Sequence, residues 1–222
     1  MVYKKLLISL SLLLTITGCY AKDPTAAGVF PFAYNEQGVL CFLLGQEPNG
    51  LWADFGGKVD PHEKYSHQTA VREFSEETRY VYGRYASLKH TRNKEGYIRP
   101  SAAFKESKKY IARRLREKLV HPKGYYVMYL AHVDYIPAEE FNCASKVPHY
   151  EKKAYIWVPA NELLEDLKNS ADRHHAYVNG MKVRPPFYDT IMHNYDTIMH
   201  AVHNASKYHL AKHRTMRAAR TH

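Results

Sequence analysis

The sequence predicts an α/β domain, and three observations lead there. Runs rich in β-branched and aromatic residues occur at 29–34, 39–46, 51–55, 124–136 and 154–158, which is the composition of strands. Other stretches, at 66–79 and 186–208, repeat apolar residues at the three- and four-residue intervals of a helix packed on a core. One of those helices carries Arg72-Glu73-Phe74-Ser75-Glu76-Glu77 and follows a strand that runs directly into Gly56-Gly57. A length of 222 residues suits one sizeable core with additions. With 45% hydrophobic and 24% charged residues the chain is globular in composition, which excludes a disordered solvated chain.

Residues 1–18 stand apart from the fold. Lys4 and Lys5 precede an apolar run at 6–17 that is too short to cross a bilayer comfortably, the pattern of a signal peptide. The run closes on Ile16-Thr17-Gly18-Cys19, which resembles the lipobox of bacterial lipoproteins. That resemblance implies lipidation of Cys19, export, and a membrane anchor at the bacterial cell envelope, facing the periplasm or exterior. Cleavage near Ala21 and retention as an uncleaved anchor are the alternatives. Residues 19–27 read as a tether, 28–170 as the main domain, and 171–222 as a helical extension with a basic tail. An exported compartment permits a disulfide between Cys41 and Cys143, although Cys41, inside an apolar run, reads more simply as a small core residue. No Cys-x-x-Cys spacing suggests zinc.

The first two β-rich runs are joined by Asn35-Glu36-Gln37-Gly38, a hairpin signal. Pro48-Asn49-Gly50 then turns the chain into Trp52-Ala53-Asp54-Phe55, which leads into the paired glycines. Glycine there lets the backbone approach a ligand closely. After the breaker Pro61 a helix begins near Ser66 and packs through Ala70, Val71, Phe74 and Thr78. Glu73, Glu76 and Glu77 stand at i, i+3 and i+4 and are expected to point away from that apolar face. Three like charges so placed repel one another, so the helix needs a divalent metal, or at least Arg72 and neighbouring cations. Hard carboxylate oxygens suit Mg²⁺ or Mn²⁺.

Gly57, Glu63 and Arg72 to Thr78 together resemble the Nudix box, the signature of the Nudix hydrolase family. Eight residues rather than seven separate Glu63 from Arg72, and Arg79 and Tyr80 stand where the family has glycine and an apolar residue. The resemblance implies an α/β/α sandwich with a mixed sheet. It also implies metal ligation by Glu73, Glu76 and Glu77, bracing of the carboxylates by Arg72, and a substrate loop of Gly56, Gly57 and Lys58. The general base would be one of these glutamates or Glu151, which precedes the strand at 154–158. The substrate would be an anionic small molecule such as a nucleoside diphosphate derivative. The extra residue is expected to shift Glu63 while leaving the three glutamates in register.

Beyond the box, residues 102–120 read as an inserted basic amphipathic helix with a stripe of Phe104, Ile111, Leu115 and Leu119. Its Lys and Arg residues are a solvated face, a positive wall beside the site, or a surface for anionic lipid. The run 124–136 is the strongest strand, and 137–140 reads as a loop whose Glu139 and Glu140 are further candidate acids. Tyr97 and Pro100 lie where the family carries hints of substrate class. Tyr188-Asp189-Thr190-Ile191-Met192-His193 recurs from Tyr195 to His200, so a helix over 186–208 with Ile191, Tyr195, Ile198 and Val202 on one face could pack on the domain or form a homodimer. His174, His175, His193, His200 and His203 lack a carboxylate companion pattern and stay outside the expected site.

The net charge of +10 suits an anionic substrate or an anionic membrane. No nucleic-acid-binding module accompanies it, so nucleic acid is not the expected partner. Three classes of function remain: an exported metal-dependent hydrolase, a nucleotide-binding module without turnover, and a membrane-surface interaction protein.

Overall fold

The computed structural model describes residues 23–90, 99–143 and 152–218. The chain forms β1 (Ala26–Tyr34), β2 (Leu40–Gln46), β3 (Trp52–Ala53), β4 (Phe55–Lys58), α1 (Ser66–Glu77), α2 (Val81–His90) and α3 (Pro100–Ala112). It continues through β5 (Leu115–Val120), β6 (Tyr126–His132), α4 (Ala138–Cys143), β7 (Ala154–Pro159) and α5 (Ala160–Asn169). A small hairpin of β8 (Tyr177–Val178) and β9 (Met181–Lys182) precedes α6 (Pro185–His193) and α7 (Tyr195–Ala218). Seven strands make one sheet in the order β3-β2-β1-β6-β5, with β4 also on β1 and β7 also on β2. β1 and β6 are parallel and the other pairs antiparallel, so the sheet is mixed as expected.

Strand alternation explains the layers. Phe30 and Phe32 of β1, Phe42 and Leu44 of β2, and Met128 and Leu130 of β6 face one way, onto α5, α6 and α7 through Leu163, Leu167, Phe187, Ile191 and Ile198. Ala27, Val29, Leu43 and Val127 face the other way, onto α1, α2 and α3 through Ala70, Phe74, Val81 and Ile111. The result is the expected α/β/α sandwich. Residues beyond 170 are not a separate layer of their own. Ala176, Val178 and Val183 belong to the first of these cores, and Arg184 donates its backbone N–H to the Trp52 carbonyl at 2.9 Å.

Four expectations change. The basic helix expected over 102–120 stops at Ala112, and Leu115–Val120 is a strand. Helical spacing of Leu115 and Leu119 is overridden because β6 offers a ladder that Lys118, Leu119 and Val120 complete against Tyr129, Met128 and Val127. The charged residues are therefore divided between α3 and an edge strand, where exposed Arg116, Glu117 and Lys118 discourage further pairing. Residues 138–143 are helical rather than a loop, and Glu139 and Glu140 are exposed there; Glu140 acts on Arg84 and Tyr85, away from the box. The C-terminal helix is two helices broken at Asn194. The Asn194 side chain donates to Val120 and Thr190 carbonyls, at 2.9 and 2.8 Å, and so ties the break to the sheet edge. Finally, β1 starts at Ala26, inside the expected tether, and α7 remains helical to Ala218. Cys41 is a free, buried thiol.

The end of α1 shows why glycine can be dispensed with at position 79. Arg79 and Tyr80 both adopt positive φ, 53° and 58°, a conformation that costs a non-glycine residue roughly 1–2 kcal/mol. The Arg79 guanidinium is buried and donates to the carbonyls of Phe141, Asn142 and Lys152 at 2.9, 3.1 and 3.2 Å. Hydrogen bonds from a charged donor contribute roughly 1.5–3 kcal/mol each, so the gain outweighs the strain. Arg79→Ala should therefore lose several kcal/mol in urea unfolding, about the sum of those bonds. Arg79→Gly should be about 1 kcal/mol more stable than Arg79→Ala, yet still below the native protein.

Candidate active site

The site is assembled where β4 passes over the start of β1. Gly28 of β1 lies opposite Gly56 of β4, and the Tyr126 hydroxyl passes between them: a Cβ would come within 2.1 Å of it from Gly28 and 2.3 Å from Gly56. Tyr126 reaches Asp54 through that gap and donates a short hydrogen bond to Asp54 Oδ2. A Cβ on Gly57 would lie 2.3 Å from Glu73 Oε1, so this glycine is what allows the α1 carboxylate to rest against the β4 backbone.

Arg72 joins the parts. Its Nε and Nη2 donate to Glu63 at 2.9 and 3.3 Å, Nη1 to Glu73 at 2.7 Å and Glu76 at 3.1 Å, and Nη2 also to the Lys58 carbonyl at 2.9 Å. One guanidinium thus ties the loop, the strand and two carboxylates of the helix. Glu63 also accepts from the Thr69 hydroxyl at 2.7 Å and the Asp60 N–H at 3.0 Å. Partial burial alone would raise the Glu63 pKa, but the Arg72, Asp60 and Thr69 hydrogen bonds outweigh it and hold the carboxyl below its usual range. Glu63, which precedes the extra residue of the loop, is thus bound to Arg72. Within the same loop Gln68 Oε1 accepts the backbone N–H groups of Lys64 and Tyr65 at 2.8 and 3.1 Å.

The three glutamates are not equivalent, and here the sequence expectation is corrected. Glu73 and Glu77 are buried and only Glu76 retains a substantially exposed side chain. Helical spacing alone put all three on a free face; the close approach of β4 covers Glu73, and Lys152 covers Glu77. Lys152 Nζ lies 3.2 Å from Glu77 Oε1, 3.0 Å from the Asp54 carbonyl and 3.6 Å from Glu47 Oε1. Glu77 Oε2 is buried with no hydrogen-bond partner. Burial, then the nearby Glu73 and Asp54 charges, push the Glu77 pKa well up, against the pull of Lys152. Among the described residues no three Asp, Glu, His or Cys side chains are gathered tightly enough to cage an ion. The donor set nevertheless fits a hard divalent cation: carboxylate oxygens of Glu73 and Glu76 meet at one Arg72 nitrogen, and an orphaned Glu77 oxygen lies on the same helix.

A cleft of about 270 Å³ is lined by Gly56, Gly57 and Lys58, with Asp54 and Tyr126 at their side and Tyr125, Arg184 and Phe187 forming further wall. Arg184 is held by Glu47 at 3.0 Å and remains nearly half exposed. Asp54 was visible in the sequence two residues before the glycines without a signal to single it out. Lys152, Arg184 and Tyr126 carried none, since each joins the site through tertiary contacts across the chain. Glu151, Cys19 and Tyr97 lie outside the described residues.

Burial raises the Asp54 pKa to about 6 from its ordinary 3.8, opposed by the Tyr126 hydrogen bond and Lys152. Because the folded protein holds this proton more tightly than the unfolded chain, Asp54 adds stability below its ordinary pKa. That contribution disappears as the pH rises through about 6. Asp54→Asn keeps an acceptor for Tyr126 and removes the titration. Relative to the native protein, its unfolding free energy should rise by about 2 kcal/mol between about pH 4 and pH 7, measured by denaturant unfolding across that range.

The family model described as NUDIX domain matches residues 22–178. Among solved structures, the chain is similar to a Nudix hydrolase from M. smegmatis, RenU, at 17% identity over 79% of this chain and 86% of that one, TM-score 0.42. It is also similar to the NUDIX domain of Shewanella oneidensis NrtR complexed with ADP ribose, at 17% identity, 79% and 88% coverage and TM-score 0.40. A third is a C. elegans Ap4A hydrolase, at 21% identity, 64% and 81% coverage and TM-score 0.35. No curated protein matches the chain.

Proposed function

Because this chain belongs to the NUDIX family, we propose that it is a divalent-metal-dependent hydrolase of the diphosphate linkage in a nucleoside diphosphate joined to a further group. The observation that carries the reading is the Arg72 cluster, tied through the Lys58 carbonyl to the Gly56-Gly57-Lys58 backbone that lines a cleft with cationic and aromatic walls. Bound Mg²⁺ or Mn²⁺ would supply neutralisation of phosphoryl charge and a more acidic water. Glu73 and Glu76 would hold it, with Glu77 the third candidate on the same helix. Arg72 keeps Glu73 and Glu76 oriented and holds the Lys58 carbonyl, and with it the β4 backbone, beside them. Glu76, the accessible carboxylate of the three, or Glu151 would accept the proton of the attacking water. Lys58 and Arg184 would bind anionic oxygens, and Tyr125 and Phe187 would pack on the flat part of the substrate.

A second reading, a nucleotide-binding module without turnover, is favoured by one observation: Glu77 is already engaged by Lys152. In either case the lipobox-like stretch ending at Cys19 would place the protein at a bacterial envelope, anchored by lipid. Among the described residues no helix is long and apolar enough to cross a membrane.

Two measurements test the reading. Purified protein with Mg²⁺ or Mn²⁺, assayed on a panel of nucleoside diphosphate derivatives that includes ADP-ribose and diadenosine tetraphosphate, should release phosphate esters. Glu76→Gln should lower kcat by about 10²–10⁴, with little change in unfolding midpoint because its pairing with Arg72 is partly exposed. Binding of the same nucleotides with no turnover by intact protein would establish the second reading instead. Arg184→Met should raise KM by roughly tenfold or more and leave kcat nearly unchanged, as loss of one charge-assisted hydrogen bond formed in ground and transition states alike.

A further inference from the structure

Lys152 is almost completely buried, an unusual place for an ammonium group unless every donor is answered. Its ammonium donates to the Asp54 carbonyl at 3.0 Å and pairs with Glu77 Oε1 at 3.2 Å, with the Glu47 Oε1 charge farther off at 3.6 Å. The position is built from several directions. Gly45 makes room for the stem, since a Cβ there would lie 2.9 Å from Lys152 Cδ. The Lys152 carbonyl accepts from Arg79 Nη2 at 3.2 Å, and the next backbone N–H donates to Gln46 at 2.7 Å. Arg79 is the residue that replaces the glycine ending the box helix, so that departure and the buried lysine form one arrangement.

The two cations of the site divide its acids. Arg72 serves Glu63, Glu73 and Glu76 from the accessible side, whereas Lys152 serves Glu77 from within the domain. For a divalent ion, Glu73 and Glu76 would be carboxylates held beside a guanidinium, and Glu77 one already paired with a buried ammonium. In low-dielectric surroundings a fixed positive charge this close strongly opposes a second one on the same carboxylate.

We propose that Lys152 is a built-in counter-cation for Glu77 that competes with a divalent metal for that carboxylate, leaving Glu73 and Glu76 as the principal ligands and setting the affinity of the site. The proposal rests on the metal-dependent reading above. Lys152 touches neither substrate nor reacting atoms in it and is a positioning residue.

The test is Mn²⁺ binding to the full folded chain without substrate, followed by electron paramagnetic resonance of free Mn²⁺, with thermal unfolding in the same buffers. Glu77→Gln in the native background should change the Mn²⁺ Kd by no more than about threefold, while Lys152→Met should tighten it by about tenfold or more. Adding Glu77→Gln to Lys152→Met should abolish that gain. Without metal, Lys152→Met should melt below the native protein because Glu77 is left buried and unpaired, and Mn²⁺ or the second substitution should restore it. A tenfold or greater loss of Mn²⁺ affinity on Glu77→Gln alone overturns the proposal, as does unchanged affinity in Lys152→Met or a lack of Mn²⁺ binding by both the native protein and that variant. Should Lys152→Met alone fail to fold, the Glu77→Gln comparison still decides. Mn²⁺ binding as described without any substrate turnover would end the hydrolase reading and leave this one standing.

Discussion

A single guanidinium holds the working end of this molecule together. Arg72 bonds to Glu63 in the loop, to Glu73 and Glu76 on the helix, and to the Lys58 carbonyl on the strand. Like charges at helical spacing are tolerable only with such a partner. The same contacts fix how α1 lies on β4, because Glu73 can come close to the strand only where Gly57 has no side chain. Geometry and electrostatics thus impose one arrangement: glycine for the approach, arginine for the charge.

Behind that surface lies a second polar layer that the outer one rests on. Asp54, Tyr126, Lys152, Glu77 and Glu47 connect β2, β6 and the end of α1 inside the domain. Each ionised group there is stabilised only by its neighbours, since burial raises both Asp54 and Glu77. The C-terminal segment closes the cleft from outside the matched family region. Its Arg184 pairs with Glu47 of the inner layer, and its Phe187 sits both in the core and on the cleft wall. Core packing and substrate wall are therefore coupled through one segment.

Where local pattern and structure disagree, long-range pairing prevailed. Leu115 and Leu119 have helical spacing with Ile111, yet the available edge of β6 drew residues 115–120 into the sheet. The repeat at 188–200 reads as one continuous helix, but Asn194 capped α6 and bound the Val120 carbonyl instead. In each case one side chain or strand edge, distant in sequence, settled a choice that neighbours left open.

The sequence by itself determined β1 to β4, β6 and β7, the box helix, the mixed α/β class and the grouping of Gly57, Arg72, Glu73 and Glu76, because periodicity and residue type act over a few residues. Only the tertiary structure decided that Glu77 faces inward to Lys152 rather than outward with its neighbours. It likewise decided that Arg79 serves in place of glycine and that Arg184 joins the cleft wall. Those outcomes depend on which charges and carbonyls are brought together from positions far apart in the chain, and on the burial that makes their pairing obligatory.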